Sequence, residues 1–184
     1  MGKEDVKRKR FSSLISNYVI AMKEHLRAGV KDDLLTLDEE TTTSLKQKKH
    51  KPNFLASELY NGINEMYKSE EISGEQLFLL DKELKGITDN IGACERIRNT
   101  SIPYSYSMYI KKFIFIYSIT LPFGFVNEYD WWTILVTAFI FYFLLTIELI
   151  AEEIEDPFGV DDNDLPTDEL SVSIGNDVEE ILLN

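Results

Sequence analysis

Apolar residues recur at intervals of three and four over residues 11–26: Phe11, Leu14, Ile15, Tyr18, Val19, Met22 and Leu26 share one side, while Lys23, Glu24, His25 and Arg27 mostly fall elsewhere. That period predicts an amphipathic helix, with Gly29 as its stop. Residues 31–43, including Thr41, Thr42 and Thr43, show no clear period. A basic loop of Lys46, Lys48, Lys49, His50 and Lys51 follows, and Pro52 is placed to open a second helix running to about Lys68. After a break at Ser73 and Gly74, Leu77, Leu80, Leu84, Ile87, Ile91 and Cys94 alternate steps of three and four. Such a heptad-like stripe wants a neighbour in a helix bundle. Residues 1–102 are therefore predicted to be an all-helical region.

The pattern changes after Pro103. Residues 113–126 and 131–147 carry no charge, runs of 14 and 17 residues that fall short of the roughly 20 a spanning helix needs. The first run extends backward through Tyr104, Tyr106, Met108, Tyr109 and Ile110 if Lys111 and Lys112 snorkel to headgroups. The second extends forward through Glu148 to Ala151. Trp131, Trp132 and the tyrosine cluster read as interfacial anchors. A two-helix transmembrane hairpin is thus predicted within residues 103–151, with spans at about 104–126 and 131–151. Pro122 and Gly124 stand near the far end of the first span, where a kink or early stop is expected. Residues 152–184 are predicted to form an acidic loop and a last helix capped by Thr167 or Asp168. Leu170, Ile174, Val178, Ile181 and Leu182 would form its docking side. The fold class expected is an all-α membrane protein, a cytoplasmic helical bundle with a two-helix transmembrane hairpin.

Charge sharpens this division. The net charge of −13 is unevenly spread: every one of the 19 Lys and Arg residues lies at or before Lys112, and 15 of the 32 Asp and Glu residues lie after it. The first 112 residues carry +2 and the last 72 carry −15. Arg96, Arg98, Lys111 and Lys112 flank the first span, whereas Asn127, Glu128, Tyr129 and Asp130 between the spans include no basic residue. Both termini are accordingly expected in the cytoplasm of a multi-pass membrane protein.

The single cysteine, Cys94, excludes an intramolecular disulfide framework. The basic start is followed by an amphipathic stretch and not by the apolar core of an export signal. No Gly-x-Ser-x-Gly elbow, phosphate-binding glycine loop or His-Glu-x-x-His occurs, so no enzyme is expected. The basic loop at residues 46–51 has no aromatic platform beside it, so no nucleic-acid partner is expected. His25 and His50 stand far apart with no Cys or His at ligand spacing, which gives neither a metal role.

Carboxylates gather where the second span ends. Glu148, Glu152 and Glu155 share one helical face, where like charges call for a cation, a basic neighbour or water. The loop at residues 156–164 then offers Asp161, Asp162, Asn163 and Asp164 after Gly159, hard oxygen donors suited to a cation. An EF-hand frame from Asp161 fails, because Leu165 and Pro166 stand where a ligand and the glycine are required.

The run Ile102-Pro103-Tyr104-Ser105-Tyr106-Ser107, the run Leu121-Pro122-Phe123-Gly124, and Asp156-Pro157-Phe158-Gly159 with its following aspartates resemble the bestrophin family of ion channels, in its bacterial branch. The resemblance covers roughly residues 8–184 and is strongest from Glu95 onward. It implies an all-helical homopentamer with a central pore through membrane and cytoplasm. Family members carry four transmembrane helices. The two seen here look like the third and fourth, so the chain is expected to be a C-terminal portion lacking the first two, the second of which lines the pore neck.

By the same resemblance, a calcium clasp of the animal members maps onto the backbone carbonyls of Glu153 and Asp156 and the side chains of Asp161 and Asp164. Asp162 matches a further acidic position, whereas Val160 replaces a glutamate and the clasp's N-terminal contribution has no counterpart. No cofactor is expected to be required, calcium being the one candidate. Phe54 and Leu55 resemble the cytoplasmic constriction of the pore. The function implied is passive ion transport in contact with the lipid bilayer, as chloride by the animal members or as cations by the acidic vestibule. A non-conducting membrane hairpin scaffold is the alternative, because the neck helix is absent from this sequence.

Overall fold

The computed structural model describes residues 3–27, 29–100 and 103–183, which fall into two compact units. One unit joins the chain up to Ile97 with the segment from Pro166 onward, and the other spans Arg98–Leu165. Ile102, at the head of the Ile-Pro-Tyr motif, lies outside the described residues.

The first unit begins with α1, Lys3–Leu26, which starts a full two turns before the hydrophobic stripe does. Charge explains the extension. Glu4 and Asp5 sit in the first turn, where the helix dipole favours them, and Arg8 Nη2 reaches Glu4 Oε1 at 2.9 Å. Arg10 also lies 3.5 Å from Glu58 and 3.8 Å from Glu65, and Lys7 pairs with Glu71. Gly29, at φ +106°, closes the helix by donating its N–H to Glu24 O at 2.9 Å.

A 3-10 turn, Asp32–Leu34, leads to α2, Glu39–Lys46, in the stretch expected to be irregular. Eight residues give a stripe too little length to show, and the three threonines are poor helix formers. The cap supplies what propensity lacks: Asp38 accepts the Thr41 N–H at 3.0 Å and the Thr41 hydroxyl at 2.8 Å. The hydrogen bond from the Thr41 backbone, outweighing burial, holds the Asp38 carboxyl below the usual range.

α3, Lys51–Lys68, opens at Pro52 as predicted, with His50 Nδ1 accepting the Asn53 N–H at 3.2 Å. Its buried face is Pro52, Leu55, Ala56, Leu59, Gly62 and Ile63. Gly62 lets the Phe11 ring sit close, since a Cβ there would stand 2.9 Å from Phe11 Cζ and push the ring aside. α4, Gly74–Asn99, is entered through a reciprocal cap in which Gln76 N–H donates to Ser73 Oγ and Ser73 N–H to Gln76 Oε1.

Leu14, Tyr18, Ala21, Leu45, Leu55, Ala56 and Leu59 form the core, with Leu84 and Ile87 of α4 against it. The α4 stripe is used over most of its length: Ile91 is buried and Leu77, Leu84, Ile87 and Cys94 are half-buried, whereas Leu80 is exposed and Phe78, outside the stripe, is 71% exposed. Two polar lashings hold α4 in addition. The Tyr18 hydroxyl donates to Ile87 O at 2.9 Å, and burial pushes that phenol up to about 12. His25 and His50, separated by 25 positions, meet at the carboxylate of Glu95.

α7, Thr167–Leu183, starts earlier than expected, with Thr167 and Asp168 inside its first turn and Pro166 O accepting the Leu170 N–H at 3.0 Å, and it runs antiparallel to α1. Lys23 Nζ lies 2.6 Å from Asp168 Oδ1, and Arg27 reaches Asp168 Oδ2 at 2.8 Å and Thr167 Oγ1 at 2.9 Å. The hydrogen bonds from Lys23 and Arg27 hold the Asp168 carboxyl below its usual range. The docking face differs from the one expected. Ser171 is buried and Gly175, Val178 and Leu182 are half-buried, whereas Leu170, Ile174 and Ile181 are exposed. Small residues face α1 here, and a Cβ on Gly175 would make only ordinary contact with Ser16, at 3.8 Å.

The second unit is a helical hairpin of α5, Tyr104–Tyr129, and α6, Trp132–Glu155, joined by Asp130 and Trp131. Both helices are long and apolar enough to cross a membrane. At 1.5 Å per residue they measure about 39 and about 36 Å, more than the roughly 30 Å hydrocarbon thickness. α5 passes through Pro122 and Gly124 to Tyr129, so residues 127–129, expected in the connecting loop, are helical. Asp130 makes the turn with φ +46°, donating its N–H to Val126 O. Phe113, Ile116, Phe123, Ile134, Phe139 and Ile147 expose their side chains, the outward apolar surface that lipid or neighbouring apolar helices would cover.

Candidate functional site

The end of the hairpin that carries the carboxylates is built from α5, α6 and the loop at residues 156–166. Glu148, Glu152 and Glu155 do share a face, and Lys111 offsets the repulsion between the first two. Its ammonium lies 3.2 Å from Glu148 Oε1 and 3.1 Å from Glu152 Oε2. Lys111 therefore reaches across to α6. The Glu148 side chain is only 10% exposed, so this is an ion pair with one member withdrawn from solvent.

Beyond α6 the acidic loop folds onto itself. Asp156 Oδ1 accepts the Phe158 N–H at 3.4 Å, Asp164 Oδ2 accepts the Asp161 N–H at 2.8 Å, and Leu165 N–H closes on Pro157 O at 3.1 Å. Asn163 Nδ2 donates to Glu153 Oε2 at 2.9 Å, tying the loop to the last turn of α6. Phe158 is buried. Asp156 and Asp164 thus serve as acceptors for backbone N–H groups in a turn, the Asx chemistry that short acidic side chains favour. Of the donors mapped to a calcium clasp, the Asp164 carboxylate is already bonded to the Asp161 N–H, and Glu153, in the last turn of α6, holds Asn163 by its side chain and not by its carbonyl.

Gly159 is the position on which the loop depends. A Cβ there would stand 2.5 Å from Asp164 Oδ2 and 3.7 Å from Asp156 O. Gly159→Ala is expected to expel the Asp164 carboxylate and free the Asp161 N–H, a loss of about 1 kcal/mol for the one hydrogen bond. Amide exchange at Asp161 should quicken roughly fivefold on that account. Unchanged protection of Asp161 in the variant would contradict this account of the loop.

Phe54 and Leu55, the residues matched to a constriction, divide in the structure. Leu55 is wholly enclosed in the core, at 0% exposure, and a side chain buried within one chain has no surface to offer a pore. Phe54 is half-buried and has Lys48 Nζ 5.7 Å above its ring. Only Phe54 retains the surface a constriction needs.

A family model described as Bacterial/Fungal Bestrophin protein matches residues 1–180. A voltage-dependent anion channel-forming protein of Nostoc sp. is 32% identical over 173 residues, which cover 92% of this chain and 56% of that protein. A protein of the same description from Synechocystis sp. is 31% identical over 171 residues, again 92% of this chain and 56% of its own. The chain thus spans little more than half the length of these relatives. A crystal structure of a bacterial bestrophin homolog from Klebsiella pneumoniae is similar with a TM-score of 0.92 and 26% identity, covering 98% of this chain and 68% of that one. The long apolar hairpin, the self-bonded Asp-Pro-Phe-Gly loop and the match over nearly the whole chain lead to one statement: this is a membrane protein of the bacterial and fungal bestrophin family.

Proposed function

We propose that the chain forms part of a channel subunit that conducts ions passively across a membrane as a homopentamer. The observation that carries this reading is the likeness of 98% of the chain to a bestrophin structure, together with relatives named as anion channel-forming proteins. The exposed apolar surface of α4 around Phe78 and Leu79 supports self-association, because a helix of such composition wants a neighbour. In this reading Phe54 narrows the pore by a dewetting constriction, and both termini face the cytoplasm with the basic flank of α5. Asp161 and Asp164, with the carbonyls of Glu153 and Asp156, are the donors calcium would use. The loop closes through its own hydrogen bonds, so calcium is proposed to be dispensable.

Planar-bilayer recording from the complete gene product in asymmetric NaCl tests the proposal. Reversal near the chloride potential, unaltered by a calcium chelator, is the expected result. A folded pentamer that passes no current would remove the channel reading, and a product that crosslinks only as monomer or dimer would favour the scaffold.

A further inference from the structure

His25 lies in the last turn of α1, His50 at the N-cap of α3, and Glu95 near the end of α4. Three helices that are distant in sequence thus deliver three side chains to one point. His25 Nε2 lies 2.6 Å and His50 Nε2 2.8 Å from the same oxygen, Glu95 Oε1, with the two imidazole rings 4.5 Å apart between centroids. One donor atom from each residue falls within 4.8 Å of the others. We infer that His25, His50 and Glu95 form a binding site for a divalent transition metal of the zinc class, one that ties α4 to α1 and α3.

The donor set selects the ion. Two imidazole nitrogens and one carboxylate oxygen suit zinc and its neighbours in the first row, whereas calcium and magnesium take oxygen donors almost alone. Ligands about 2.0 Å from a tetrahedral zinc stand about 3.3 Å apart, so the contacts of 2.6 and 2.8 Å to Glu95 need to open by about 0.7 and about 0.5 Å, while the third pair, within 4.8 Å, settles to the same spacing. The side chains of His25, His50 and Glu95 are 24%, 32% and 31% exposed. An ion can reach them from solvent, and water can fill a fourth position. A cation here meets the Glu95 carboxylate and the negative ends of the α1 and α4 dipoles, which offset the positive N-terminus of α3 at His50.

Proton positions define what the ion displaces. His50 Nδ1 accepts the Asn53 N–H, so the neutral ring carries its proton on Nε2 and donates it to Glu95. Metal at Nε2 moves that proton to Nδ1 and ends the Asn53 bond. The freed Asn53 N–H is exposed, so water can replace the lost acceptor. The metal and the histidine cap of α3 are therefore alternatives at one side chain.

The test is zinc titration of the purified chain in detergent against a chromophoric chelator, with calcium as competitor. One zinc per chain is expected, undisturbed by excess calcium, with a rise in the thermal midpoint. Glu95→Gln and His25→Asn should each weaken binding by more than about tenfold, since even losses outside the ligand set cost that much. Glu95→Gln keeps the size and a hydrogen-bonding end, so it decides the matter should His25→Asn fail to fold. No zinc binding by the parent chain, or equal affinity and stoichiometry in Glu95→Gln, overturns the site.

Discussion

Leu55→Ala is expected to lower the stability of the helical unit by about 3 kcal/mol, within the range of about 2 to 5 found for buried leucines. The side chain is completely enclosed, and its cluster includes Leu14, Tyr18, Leu45 and Leu59. Two further members, Ala21 and Ala56, have no rotatable bulk to swing into a cavity. The loss should therefore lie above the low end of the range, where collapse is easy. Chemical denaturation of the chain in detergent, followed by helical dichroism, reads it. Phe54→Ala, at the neighbouring half-exposed position, should cost much less stability. The pair also separates two roles. A Leu55 variant that kept its stability but altered ion flow would place Leu55 in the pore and contradict the core assignment.

Lys111→Met should have the other large effect, a marked fall in the yield of folded protein extracted from membranes. The substitution keeps the length and apolar stem of the side chain but removes the one cation that Glu148 and Glu152 share. Glu148 is largely withdrawn from solvent beside Ile110, Ile114, Leu144 and Ile147, and α6 contains no basic residue to replace the lysine. A carboxylate left alone in such surroundings costs far more than the pair gains. Lys111→Met with Glu148→Gln should recover much of the yield, because the doubly substituted hairpin has no stranded charge there. Lys111→Arg should be tolerated. Normal yield from Lys111→Met alone would show that the carboxylates do not depend on this contact.

The sequence carried the long elements plainly. The stripe from Phe11 to Leu26, the Pro52 helix start and the uncharged runs after Lys112 each spread over enough residues for period or composition to speak. What it hid were features set by contact across the chain. α2 depends on one Asp38 cap. Lys111 is directed by carboxylates some forty positions away, and α7 docks through Ser171 and Gly175 although its leucines and isoleucines make the louder pattern. The acidic loop was legible as a cluster of donors, but its internal bonding was not. His25, His50 and Glu95 were invisible as a set because spacing within a segment reveals only ligands that share a segment.

The antiparallel pairing of α1 with α7 has a consequence for biosynthesis. Arg27 and Thr167 are bonded across 140 positions, and every residue of the hairpin lies inside that interval. The bundle is discontinuous: its first helix leaves the ribosome early and must wait, with Ser12 and Ser16 uncovered, until α5 and α6 have been made. Synthesis of the hairpin therefore precedes completion of the bundle, and a chain stalled after α6 would display an open helix flank that chaperones and proteases can recognise.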